Sequence, residues 1–313
     1  MKYLNASIFL LLFAALPAAN GAAELSPADK EKILQALPAK ATTKPKRPRK
    51  LLLLNFNVND TGRRPDVHIS IPFGNFAIQE LGKKTRAYET VLSTDIEALR
   101  PENLAKFDAI CFNNTTGVLT TDPILRQALL SFVAGGKGFV AFHAGGAATF
   151  VQYPKYDQFP EFGNMVGGYE NGGHPWSPKE TIYIHVEDSK NRVNAAFRGQ
   201  DFPIQEEVYQ FQAPYSRENL HVLLSVDLDK SDFDPKKRRF LPARLADKDF
   251  PVAWIKPYQK GRVFYTTFGH NPETFSNPRI LESFLAGIQY ALGDLKADDR
   301  PSASTSAAQK GKP

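Results

Sequence analysis

The feature that most limits the fold is a set of short, nearly unbroken apolar runs separated by segments of helical periodicity. Residues 51–56 read LLLLNF, 108–112 read DAICF and 138–142 read GFVAF. Runs this short, apolar at both odd and even positions, predict strands buried on both faces. Between them, 121–133 places Leu125, Leu129, Phe132 and Val133 at helical spacing and stops at Gly135-Gly136, and 73–81 reads as a helix ending near Gly82. Further strands are predicted at 88–92, 182–186, 222–226, 252–255 and 263–268, with a last helix at 278–292. This alternation predicts an α/β domain, a three-layer sandwich whose mainly parallel sheet is covered on both faces. The segment 144–180, rich in glycine, proline and aromatic residues, reads as an excursion over the sheet edge.

The ends of the chain read differently. Lys2, an apolar run over 8–16 and small residues through Ala23 are the parts of a secretory signal peptide, so 1–23 is expected to be removed from a periplasmic or secreted protein. No later segment approaches a bilayer span. Ser26-Pro27-Ala28-Asp29 is a helix-start pattern, and 24–49 is expected to hold a short helix and a basic, proline-rich tether. The net charge is +6, yet KPKRPRK at 44–50 carries five of the cations and the remainder stands at +1. A nucleic-acid groove should not vanish with seven linker residues, so no nucleic-acid partner is expected. Residues 50–293 read as the domain, 227–250 with Lys236-Lys237-Arg238-Arg239 as an exposed charged loop, and 294–313 as a disordered tail. The single cysteine, Cys111, lies in an apolar strand and reads as core. Walker, dinucleotide-binding and paired-cysteine metal motifs are not found.

Six histidines are present, and four of them fall at loops or strand ends: His68, His143, His174 and His270. His185 and His221 lie within or at the start of strands and read as structural or exposed. In a parallel sheet the C-terminal strand ends converge on one crevice, so residues far apart in sequence can meet there. Imidazoles together with an acidic partner, from Glu206, Glu207 or Asp66, suit a divalent transition metal such as zinc, manganese or iron. Without a metal, His143 or His270 could serve as acid or base near neutral pH. His143 also stands where hydrolase and amidotransferase folds hold a serine or cysteine nucleophile, which disfavours amidase or peptidase chemistry.

PENLAKFDAICFNNTTG at 101–117, GGKGFVAFHAG at 135–145, GGHP at 172–175, EEVYQF at 206–211 and GRVFYTTFGH at 261–270 resemble the ThuA-like, or trehalose utilisation, family. The resemblance runs from about residue 50 to 293 and implies a flavodoxin-like or class I glutamine amidotransferase-like fold without the amidotransferase cysteine. It implies a sugar-processing pocket for a disaccharide or 3-keto-glycoside, working by metal- or histidine-assisted hydrolase or lyase chemistry. Its polar positions match His68, Asn113, His143, His174, Glu207, Tyr209 and His270. On that pattern His68, His143, Glu207 and His270 are the catalytic candidates, and Asn113, Tyr209 and Trp176 the sugar-binding ones. His143, His174, His270 and Glu207 are the metal-ligand candidates. The alternative is a non-catalytic sugar-binding or accessory module for a periplasmic sugar oxidoreductase. Two departures bear on substrate: RPDVHI stands where a GFRH-like segment is usual, and EEVYQF lacks the tryptophan of an EWYNF-like segment. Phe142, Tyr169, Trp176 and Tyr209 are the rings that could replace that stacking surface.

Overall fold

The computed structural model describes residues 24–59, 62–63, 68–152, 158–171 and 173–302. The signal-peptide expectation for 1–23 lies outside these residues. Nine strands form the main sheet: β1 (Lys50–Leu54), β2 (Glu89–Ser93), β3 (Ala109–Asn113), β4 (Gly138–Phe142), β5 (Thr181–Val186), β6 (Phe202–Gln205), β7 (His221–Val226), β8 (Pro251–Tyr258) and β9 (Gly261–Thr266). Their spatial order is β2-β1-β3-β4-β9-β8-β7-β5-β6. The first five pair in parallel. The remaining four continue the sheet antiparallel through the β8–β9 hairpin.

Side-chain alternation along the parallel strands divides the core in two. Leu51, Leu53, Cys111, Val140 and Phe142 face a cluster shared with helices α1 (Pro27–Ala36), α2 (Ile71–Thr85) and α5 (Pro278–Ala291). Leu52, Leu54, Ile110, Phe112, Phe139 and Ala141 face the opposite cluster, shared with α3 (Pro123–Ala134) and α4 (Pro160–Val166). This is the expected three-layer arrangement. The helix ends follow their capping residues: the Ser26 side chain accepts from Asp29 N–H, Asp122 from Ile124 N–H, and α3 stops at Gly135. By contrast, α2 runs past Gly82 to Arg86, which takes a left-handed φ of 56°. Gly82 serves packing instead, because a Cβ there would lie 2.5 Å from the Tyr88 ring.

Three sequence expectations are corrected, in whole or in part. The basic stretch is not a solvated tether: Arg49 pairs with Asp294 at 2.6 Å with both side chains buried, and Lys46 N–H donates to the same carboxylate. Thr43 and Gln289 exchange backbone-to-amide hydrogen bonds at 3.1 and 2.7 Å, closing the strap onto α5. Nor is 294–302 disordered, since Leu295 is buried and Ser302 bonds Leu220 and Val222. Within 227–250, Lys236, Lys237 and Arg239 are exposed as expected, but Phe233, Phe240 and Phe250 pack together and Arg238 reaches Glu180 and Asp232. The excursion over the sheet edge contains α4, whose Phe162, Met165 and Val166 complete the second core cluster. Among the described residues no helix is long and apolar enough to cross a membrane.

Candidate functional site

The site begins where β4 ends. His143 has φ 50° and ψ −122°, a conformation that costs a non-glycine residue about 1–3 kcal/mol. Its surroundings hold it there: His143 N–H donates to Thr266 O at 2.8 Å, and the Tyr265 hydroxyl donates to His143 O at 3.0 Å. The following helical turn, Ala144–Ala147, must lie flat on the sheet. A Cβ on Gly145 would stand 2.2 Å from Phe112 O and one on Gly146 2.3 Å from the Tyr265 ring, so only glycine fits either position without a shift. This is the sharp strand-to-helix elbow that elsewhere presents a nucleophile, and here it presents an imidazole at the C-terminal edge of the sheet.

Other loops at the same edge bring their side chains to it. His68 precedes α2 and His270 follows β9, and their rings with that of His143 form a near-equilateral triangle with centroids 5.0–5.3 Å apart. Glu207, beyond the far strand β6, returns over the sheet. Its Oε2 lies 3.3 Å from His143 Nε2, 3.0 Å from His270 Nδ1 and 3.4 Å from His174 Nε2. The Tyr209 hydroxyl is 2.9 Å from His143 Nε2 and its ring packs beside His143 and His174.

A backbone contact sets the tautomer of His143. Its Nδ1 lies 2.7 Å from Thr267 O, a carbonyl that can only accept, so Nδ1 carries the proton. Burial holds the imidazole below its ordinary range despite the pull of Glu207, leaving it neutral with the Nε2 lone pair turned inward. Tyr209 therefore donates to Nε2. Burial and the neighbouring imidazoles bring His68 down to about 3. Burial opposes ionisation of Glu207, yet its contacts with His143 and His270 hold its carboxyl well below the carboxylate range, His270 being the one that donates to it. For His270, burial is outweighed by Glu207, and the imidazole rises above its ordinary value. His270 Nδ1 lies 3.2 Å from His143 Nε2 and 3.0 Å from Glu207 Oε2, so a proton on it bridges two acceptors that otherwise face one another.

The donor set fits a metal. His68, His143 and His270 offer ligand atoms all within 4.8 Å of one another. His143 Nε2, His270 Nδ1 and Glu207 Oε2 are mutually 3.0–3.3 Å apart. Donors on a tetrahedral ion at about 2.0–2.1 Å stand about 3.3–3.4 Å from each other, so a cation could replace the shared proton with little movement.

His68, His143, His174, Glu207, Tyr209 and His270 thus come together, whereas two sequence candidates do not. Trp176 is a correction: its ring is buried against Phe240 and Phe250 and its Nε1–H donates to Asp232 O, so it is core. Asn113 is another, because it is fully buried and its amide donates to Ile71 O and Asn75 Oδ1, tying α2 to β3. Phe142, Tyr169 and Tyr209 are all buried, and of these rings Tyr209 is the one that packs beside His143 and His174. Asp66 lies outside the described residues. Glu206 points away from the imidazoles and beneath the His270 loop, accepting from His270 N–H at 2.6 Å, Asn271 N–H at 3.0 Å and the Thr274 hydroxyl. Burial nevertheless pushes its carboxyl up to about 7. His185 pairs with Asp201, and His221 is buried between Asp188 and Arg300 O, both remote from the cluster in their contacts. The anchor that sequence reasoning missed is the Thr267 carbonyl, which a residue type cannot signal.

A family model described as ThuA, trehalose utilisation, matches residues 59–291. Among solved structures, a ThuA-like protein from Bacteroides uniformis gives a TM-score of 0.57 at 19% identity, covering 78% of this chain and 93% of that one. A ThuA-like protein from Parabacteroides merdae gives 0.51 at 15% identity, covering 80% and 93%. These two likenesses are of fold. A search of curated proteins found no match.

Proposed function

The chain belongs to the ThuA, or trehalose utilisation, family, and from that premise we propose that it is an exported enzyme of carbohydrate processing, acting on a disaccharide or 3-keto-glycoside. The observation that carries this reading is the convergence of four histidines and Glu207 around the strained elbow at His143. His68, His143 and His270, with Glu207, would hold a divalent transition metal. Such an ion would supply positive charge to a substrate carbonyl oxygen as electron density builds there.

The chain's own groups account for the proton movements. A ketone acidifies the C–H next to it. His174, partly exposed and touching the cluster through Glu207, is placed to accept that proton. The electron pair moves to the carbonyl oxygen and returns as the bond to the glycosidic oxygen breaks. His174 then hands the proton it has taken to that leaving oxygen, since His270 Nδ1 would be held by the ion. Tyr209 fixes the His143 ring through its hydroxyl.

The test is turnover of 3-keto-glycosides and unmodified disaccharides by the mature protein, the His143→Ala and His174→Ala variants being measured in parallel. The reading requires turnover that falls by about 10²–10⁴ in each variant while sugar binding persists. Binding without turnover of any of these sugars would instead favour an accessory module for a sugar oxidoreductase.

A further inference from the structure

The edge of the sheet opposite the histidine cluster carries a cleft of about 1040 Å³, bounded by residues just before or at the start of four parallel strands: Lys50, Glu89, Asp108 and Lys137. Eight Lys and Arg residues line it against three acidic ones. Internal pairing explains part of this excess. Arg49 is taken by Asp294, Arg47 and Lys137 by Asp108, Lys83 by Glu80, and Lys50 more distantly by Glu89 at 3.9 Å. Lys44, Arg86 and Lys106 remain exposed, and among the described residues none has a carboxylate within ion-pair distance. The strap at 44–50 is what assembles this surface, by folding its charges against the domain.

Ala105 also lines an adjoining apolar groove of about 590 Å³, formed by residues including Leu104, Ile124 and Phe132, with Ile124 54% exposed. We propose that this paired surface docks an acidic peptide segment of a partner protein, carboxylates meeting Lys44, Arg86 and Lys106 and apolar side chains entering the groove beside Ile124. Charge complementarity selects that occupant. Residues 1–23 and 303–313 contain no Asp or Glu and so offer the cleft no acidic side chain. Single-stranded nucleic acid would need stacking rings, but the lining aromatics Tyr88 and Phe107 are buried. The recess also suits a chain better than a flat lipid surface. A partner held here leaves the opposite edge open to substrate.

Fluorescence anisotropy of a labelled peptide of repeated Glu-Glu-Leu, titrated with the mature protein at low salt, tests this. Saturable binding is expected to weaken about tenfold or more in a Lys44→Glu/Arg86→Glu/Lys106→Glu variant, and to stay within about twofold in Lys190→Glu/Lys236→Glu/Lys248→Glu, which changes charge equally elsewhere. Replacing the peptide leucines by serine should weaken binding about threefold or more if the apolar groove takes part. No peptide binding, equal loss in both variants, or no effect of the leucines overturns the proposal. So does binding to anionic phospholipid vesicles, or self-association through this face, with the peptide left unbound.

Discussion

At the scale of single residues, Glu207 joins three imidazoles through one oxygen, at 3.0–3.4 Å. In metal-free protein Glu207→Gln removes the charge that favours protonated His270, so the His270 titration followed by NMR should move to lower pH. An unmoved titration would contradict the assignment. The same variant should bind a transition metal about 10–100-fold more weakly. His68 gives a second prediction, for metal-free protein. Its folded value of about 3 lies below the ordinary 6.5, so its stabilising contribution is complete above about pH 6.5 and is lost as pH falls towards 3. Chemical denaturation across that window should show wild type losing more stability on acidification than His68→Gln. Parallel curves would refute it. Glu206, raised to about 7, acts in the opposite sense, its contribution fading as pH rises, and it cancels in this comparison because both proteins retain it.

At the scale of elements, the elbow rests on two close approaches. Gly145→Ala sets a Cβ 2.2 Å from the Phe112 carbonyl oxygen, against backbone that has little room to yield. The expected cost is about 1–3 kcal/mol in urea unfolding, with His143 displaced from the cluster. A variant as stable as wild type would show that the turn can ride off the sheet. The central strands and this elbow were legible in the sequence because burial on both faces leaves an unbroken apolar run, and two glycines follow it after His143 and Ala144. By contrast β6, which buries only Phe202, left no such run. The helix at 160–166 was hidden by Gly163, whose absent side chain admits the Tyr169 ring. Trp176 was misread because a flat ring suits a sugar or a core equally well. Its burial depends on Phe240 and Phe250, some seventy residues later in the chain.

At the scale of the whole molecule, contacts between the chain's two ends close the domain. The basic stretch looked solvated because its anchor, Asp294, lies 245 residues from Arg49 and gives no local signal. Asp294→Ala leaves a buried guanidinium unpaired and should cost about 3–5 kcal/mol in denaturant unfolding. A loss near zero would mean that the strap contributes nothing to closure. The histidines show the same limit: their places after strands were readable, whereas their mutual distances required the fold. The most direct test of the central claim is elemental analysis of mature protein purified without chelating resin, beside a His143→Ala/His270→Ala variant. The account predicts near-stoichiometric zinc, manganese or iron in wild type and its loss in the variant. No bound metal in wild type, even after reconstitution with each ion, would contradict a metal-assisted site.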